Sequence, residues 1–167
     1  YFEGRTLRHE KMQDGETSQI AARSGDRPAI RLENQRGGLV VLAHETTVNR
    51  LTYREFAKFA AFAEHKDFPD AVRRHKARGL PTDLFREAYT RHAKALVAVG
   101  DGKGRDRALG LETEFVAKTN PYVANFMQKM TVQQLYQGAP RAGAQVEIFA
   151  RAPGGKVTVS VTRTNAQ

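Results

Sequence analysis

Residues 130–164 read MTVQQLYQGAPRAGAQVEIFARAPGGKVTVSVTRT. Apolar and polar residues alternate at period two through "VQQLY", "QVEIFA" and "KVTVSVTRT", which sorts the side chains onto the two faces of extended strands. Gly138, Pro140 and Gly143 break the first two runs, and Pro153-Gly154-Gly155 breaks the next. Glycine supplies turn dihedrals there, and proline stands where no ladder N–H is required. Strands repeated at this spacing predict an antiparallel β-sandwich of immunoglobulin-like type. Its inner face would carry Val132, Leu135, Val146, Ile148, Val157, Val159 and Val161, with a bulge or twist at Leu135, which departs from strict alternation.

The stretch "LETEFVAK" at 111–118 starts this sustained alternation, so the expected division is a β-sandwich domain over 1–113 and a small, incomplete immunoglobulin-like β module over 114–167. A chain of 167 residues suits one ordinary domain or two small ones. The first third is punctuated by Gly15, Gly25 and Gly37-Gly38, with short apolar runs at Ile30–Leu32 and Leu39–Ala43 that read as strands. The unbroken run Leu39-Val40-Val41-Leu42 suits a strand buried on both faces.

A helical insertion over about 52–88 interrupts the first domain. Thr52 and Glu55 have the spacing of a capping box, and Leu51 with Phe56 that of a hydrophobic staple, so a helix is predicted over 52–65. Phe56, Phe59, Ala60 and Ala63 would share its apolar face, with Phe62 at the margin. A second helix is predicted over 69–78. Pro69 and Asp70 suit its first turn, the cations of "RRHKAR" its last, and Gly79 ends it. The segment "YTRHAKALVAVGD" at 89–101 fits both helical spacing and strand alternation, and periodicity alone does not choose between them.

The order and spacing of "YTRHAKALVAVGD", "LGLETEFVAKTNPY" and "LYQGAPRAGAQVEI" resemble a periplasmic family of unknown function whose members are labelled nickel or cobalt uptake proteins. The similarity runs from about Leu39 onward. It implies a mainly β fold with a helical insertion, followed by an immunoglobulin-like or carboxypeptidase-regulatory-like module, and it favours strand over 89–99. It also implies a secretory signal and a further strand ahead of Tyr1, and more strands after Gln167. Where relatives carry an acidic pair and glycine after the phenylalanine stripe, this chain has Glu64-His65-Lys66-Asp67 and a basic extension.

The resemblance implies a periplasmic, non-enzymatic binding or accessory protein for nickel or cobalt, with an envelope or transporter protein as partner. Imidazole and carboxylate suit these borderline cations. The five histidines are at 9, 44, 65, 75 and 92, and none has diagnostic spacing. His75 lies among arginines and lysine and ranks last as a ligand. His44 with the adjacent Glu45, and His65 near Glu64 and Asp67, are the candidate metal residues. The alternative reading is an immunoglobulin-like module that contacts another envelope protein through an edge strand or the helical insertion.

Other classes find little support. There is no cysteine, hence no thiolate nucleophile or zinc-thiolate site. His9-Glu10 and His44-Glu45 are followed at the zincin position by Gln13 and Val48, and Ser18, Ser24 and Ser160 lack the Gly-x-Ser-x-Gly elbow. The glycines of "VGDGKGRDR" have neither phosphate-loop spacing nor a Ser or Thr after Lys103, and read as a polar turn. Glu112 and Glu114 share one strand face, as acids on a solvated strand commonly do. The formal charge of +9 concentrates its cations in 73–107 without interleaved stacking aromatics, so a solvated surface is expected and no nucleic-acid partner. No apolar run approaches the roughly 18 residues of a membrane-spanning helix.

Overall fold

The computed structural model describes residues 5–21, 26–28, 30–33, 36–123 and 129–166. The chain is mainly β, with several antiparallel sheets and two short helices. Its contacts form two compact units. One comprises 1–47, 90–142 and 166–167; the other comprises 48–89 and 143–165. This grouping differs from a single cut after residue 113.

In the first unit, strands β1 (Thr6–Gln13), β2 (Glu16–Gln19), β3 (Gly38–Thr46) and β6 (His92–Val99) form a sheet in the order β2-β1-β3-β6. The apolar run is the reason β3 is central. Val40 and Val41 point to opposite faces, and both are buried. Met12, Leu39 and Val41 form the core cluster, with Leu96 and Leu109 packed against it. The segment at 89–99 is extended: β5 (Phe85–Tyr89) ends at Tyr89, and β6 begins at His92. Ile30–Leu32 is not in a strand, whereas Ser24 and Gly25 lie outside the described residues.

Strands β7 (Thr113–Ala117), β8 (Val132–Tyr136) and the short β9 (Ala139–Pro140) form a second sheet of this unit. The Gly-Ala-Pro stretch is a tight return, since Leu135 pairs with Pro140 and Tyr136 with Ala139. The glycine-rich segment at 100–104 is a turn laid on the first sheet, with the Leu39 N–H donating to the Lys103 carbonyl at 2.7 Å. Gly104 has φ +144°, and a Cβ there would stand 2.8 Å from the Leu39 Cβ. Close approach and backbone geometry, rather than phosphate binding, account for that glycine.

In the second unit, β4 (Asn49–Tyr53) pairs with β5 and brackets helices α1 (Phe56–His65) and α2 (Pro69–Ala77). The expected helix start at Thr52 is therefore corrected. Thr52 lies in β4 opposite Arg86, so its backbone belongs to a sheet ladder, and Glu55 is the N-cap without a side-chain capping bond. The Glu55 carboxylate instead pairs with Lys58 at 2.8 Å. The insertion over 52–88 thus has strand at both ends. Tyr53, Phe56, Phe59 and Phe85 cluster with ring centroids 5.4–6.3 Å apart. The Tyr53 hydroxyl donates to Glu87 at 2.8 Å, and burial together with that carboxylate pushes its pKa up to about 12.

Strands β10 (Gln145–Arg151) and β11 (Val157–Arg163) make a two-stranded antiparallel ribbon in the same unit. Lys66 donates to both Glu147 oxygens at 2.8 and 2.9 Å, and Gln145 Nε2 donates to the His65 carbonyl at 2.8 Å. These bonds tie the base of the ribbon to the turn between the helices. Of the expected inner-face residues, Leu135 is buried, but Val132, Ile148, Val157, Val159 and Val161 are exposed. Alternation located the strands correctly but could not supply the layer that would cover them. Among the described residues, no helix is long and apolar enough to cross a membrane.

Candidate metal centre

The register of the first sheet decides which polar side chains meet. His9 pairs with His44, and His44 with Ala93; one step along, Arg8 pairs with Glu45, and Glu45 with His92. Because neighbours on a strand project oppositely, His9 and His44 share one face, while Arg8, Glu45 and His92 share the other.

On the first face the two imidazoles meet edge to face, with ring centroids 5.2 Å apart. His9 is buried, and its Nδ1 makes no hydrogen bond. Burial lowers the pKa of both rings below the ordinary 6.5, and His9 lowers that of His44 further because two adjacent imidazolium charges repel. The shift favours the neutral ring, the state in which imidazole nitrogen donates a lone pair to a metal. The His44 side also borders an open depression of about 630 Å³, lined by Thr90, Arg91, His92, Ala93, Glu112 and Thr113 besides His44.

The other face is a network of ion pairs. Arg8 contacts Glu10 at 2.6 Å and donates to the Leu109 carbonyl at 2.6 Å, and its pKa is raised chiefly by the Glu10 carboxylate. Glu45 meets His92 Nε2 at 3.3 Å. Lys94, next along the strand face, donates to Asp106 at 2.7 Å, to Glu114 at 2.8 Å and to the Arg107 carbonyl at 2.9 Å. Glu114 also accepts from the backbone N–H groups of Leu109, Gly110 and Leu111, and Asp106 from that of Ala117. Saturated in this way, Lys94, Asp106 and Glu114 fasten the segment 106–117 to β6. Glu112 and Glu114 do not act as a pair, since Glu112 accepts from the Gln137 side chain instead.

Of the residues singled out in the sequence, His44 and Glu45 thus face opposite ways. His65 belongs to the other unit, at the end of α1, where its exposed ring lies 3.8 Å from Glu147. His75 is buried among aromatic rings, with centroids 4.5–5.3 Å from those of Phe85, Phe56 and Phe59, and its Nε2 lies 2.7 Å from the Pro81 carbonyl. It packs the second unit's core. Among the described residues, no group of three or more His, Cys, Asp or Glu side chains is arranged to hold a metal ion. The sequence names His9 among the five histidines but gives no reason to set it beside His44, because cross-strand register, not spacing along the chain, brings the two together.

A mainly β protein with a helical insertion and a paired-histidine sheet face is the class that these features define. A family model for a domain of unknown function, DUF4198, matches residues 4–167, and the chain belongs to that family. No curated protein and no solved structure matches it.

Proposed function

We propose that this protein is a non-enzymatic binding or accessory protein for transition-metal uptake in the periplasm, taking nickel or cobalt as cargo and passing it to an envelope or transporter protein. In this reading its sheets assemble as immunoglobulin-like modules. The observation that carries the metal reading is the His9–His44 pair: two rings meeting on one sheet face, one with a buried nitrogen, Nδ1, that makes no hydrogen bond. Imidazole nitrogen suits these cations, so the residues fit the group. The two histidines would supply two ligands, and water or a ligand from the partner would fill the remaining positions. Such an incomplete shell suits release better than permanent storage. Glu45 and His65, the other candidates, fit less well: Glu45 is directed to the opposite face and engaged with His92, and His65 stands beside Glu147 in the second unit.

The test is calorimetric titration of untagged protein with nickel, cobalt and zinc chlorides. The account predicts one site, weakened at least tenfold by His9→Ala or His44→Ala and unchanged by His65→Ala. Undiminished binding in both of the first two variants, or no binding by the parent, removes the proposal.

A further inference from the structure

The register that joins His9 to His44 continues across the first sheet in both directions. On one side His44 pairs with Ala93 of β6; on the other the Ile20 N–H donates to the His9 carbonyl at 2.8 Å. Residues directly opposite on neighbouring strands share a face, so Ala93, His44 and His9 form one row across three strands. Exposure falls steadily along that row. Ala93 is exposed and His44 half-buried, whereas His9 and, beside it, Ile20 are buried. The row is therefore covered at its Ile20 end and open at its Ala93 end. Ala93 and His44 both line the open depression of about 630 Å³ at the start of β6, where Arg91 and Glu112 set opposite charges.

Resting on the metal reading of this pair, we propose that the cargo cation enters and leaves over Ala93, from that depression, and that the small side chain at 93 keeps the passage open. A metal site needs an entry path as well as ligands, and the side chains around it control access from solvent. The gradient of burial sets the order of events. An arriving cation meets His44 first and His9 second; on departure the His9 bond breaks first and the His44 bond last. A ligand from a receiving protein would come by the same route, so His44 is the ring it replaces last. Cβ atoms of directly opposed residues stand about 4.5–5.5 Å apart, close enough for a longer side chain at 93 to cover the His44 ring. The methyl of alanine leaves that ring accessible.

The test is stopped-flow measurement of nickel chloride association and of nickel release to EDTA, with the equilibrium affinity taken from calorimetry. Ala93 is exposed, so Ala93→Leu displaces no packed side chain and should leave the circular dichroism spectrum unchanged. It is expected to slow association and release alike, each at least tenfold, with the affinity held within about twofold, because an obstructed entrance raises the barrier equally in both directions. Ala93→Ser, which adds little bulk, should keep the parent rates. So should Ala95→Leu, since Ala95 is exposed on the same face but pairs with Leu42, away from the depression. His44→Ala should slow association more than His9→Ala, whose chief effect should be faster release. Parent rates in Ala93→Leu overturn the entrance while leaving the metal reading in place. Equal slowing by Ala95→Leu, or a tenfold loss of affinity in Ala93→Leu, also overturns it, whereas no nickel binding by the parent removes the metal reading and the entrance together.

Discussion

Replacing Lys94 by Met would test the buried network most sharply. The side chains of Lys94, Asp106 and Glu114 are 6%, 1% and 1% exposed, so removing the ammonium leaves two carboxylates buried without their cation. Breaking a buried pair by deleting one partner costs about 3–5 kcal/mol. Here the lower end is expected, since Glu114 keeps its bonds from Leu109, Gly110 and Leu111, and Asp106 keeps its bond from Ala117. With a urea dependence of about 2 kcal/mol per molar, a loss of about 3 kcal/mol lowers the unfolding midpoint by about 1.5 M. Far-ultraviolet circular dichroism reads the midpoint, and amide hydrogen exchange should locate the loss in 1–47 and 90–142. The triple variant Lys94→Met, Asp106→Asn, Glu114→Gln should recover part of the loss, because it removes the stranded charges. A Lys94→Met midpoint within about 0.3 M of the parent, or a triple variant much weaker than the single one, would refute the reasoning.

Three further outcomes are expected. Thr52→Ala should change stability by no more than about 0.5 kcal/mol, as at an ordinary exposed strand position; a loss above 1 kcal/mol in urea melts would restore the capping box. Gly104→Ala should cost at least about 2 kcal/mol, from the positive φ and the approach to Leu39, and a neutral result would contradict that packing. His9 and His44 have folded pKa values below the ordinary 6.5, so between the two values the unfolded chain binds more protons. Stability should therefore fall as pH drops through about 6.5 towards the folded values, by at most about 1.4 kcal/mol per pH unit for each ring. Urea melts from pH 7.5 to 5 should show a shallower decline in His9→Gln.

Local signals and tertiary arrangement were not equally legible. The run Leu39–Leu42 announced a strand buried on both faces, and alternation announced β8, β10 and β11, because burial and pleat write directly into residue order. The cap at Thr52 misled because the same Thr-x-x-Glu spacing also occurs where a strand runs up to a helix; β4 pairs with β5 more than thirty residues on, and no local pattern reports it. His44 was legible only as a lone histidine. Its partner lies on β1, and only register shows that His9 faces it while the adjacent Glu45 turns away. The cations of 73–107 likewise looked uniformly solvated, but Lys94 is buried between acids and His75 among phenylalanines.

Histidine side-chain NMR during a cobalt(II) titration addresses the metal reading most directly, since a paramagnetic ion marks the rings nearest to it. With all five histidines assigned, the account predicts that His9 and His44 broaden or shift together at the first additions, ahead of His65, His75 and His92. If His65 or His92 responds first, or all five rings respond alike only at large excess, the His9–His44 pair is not a metal site.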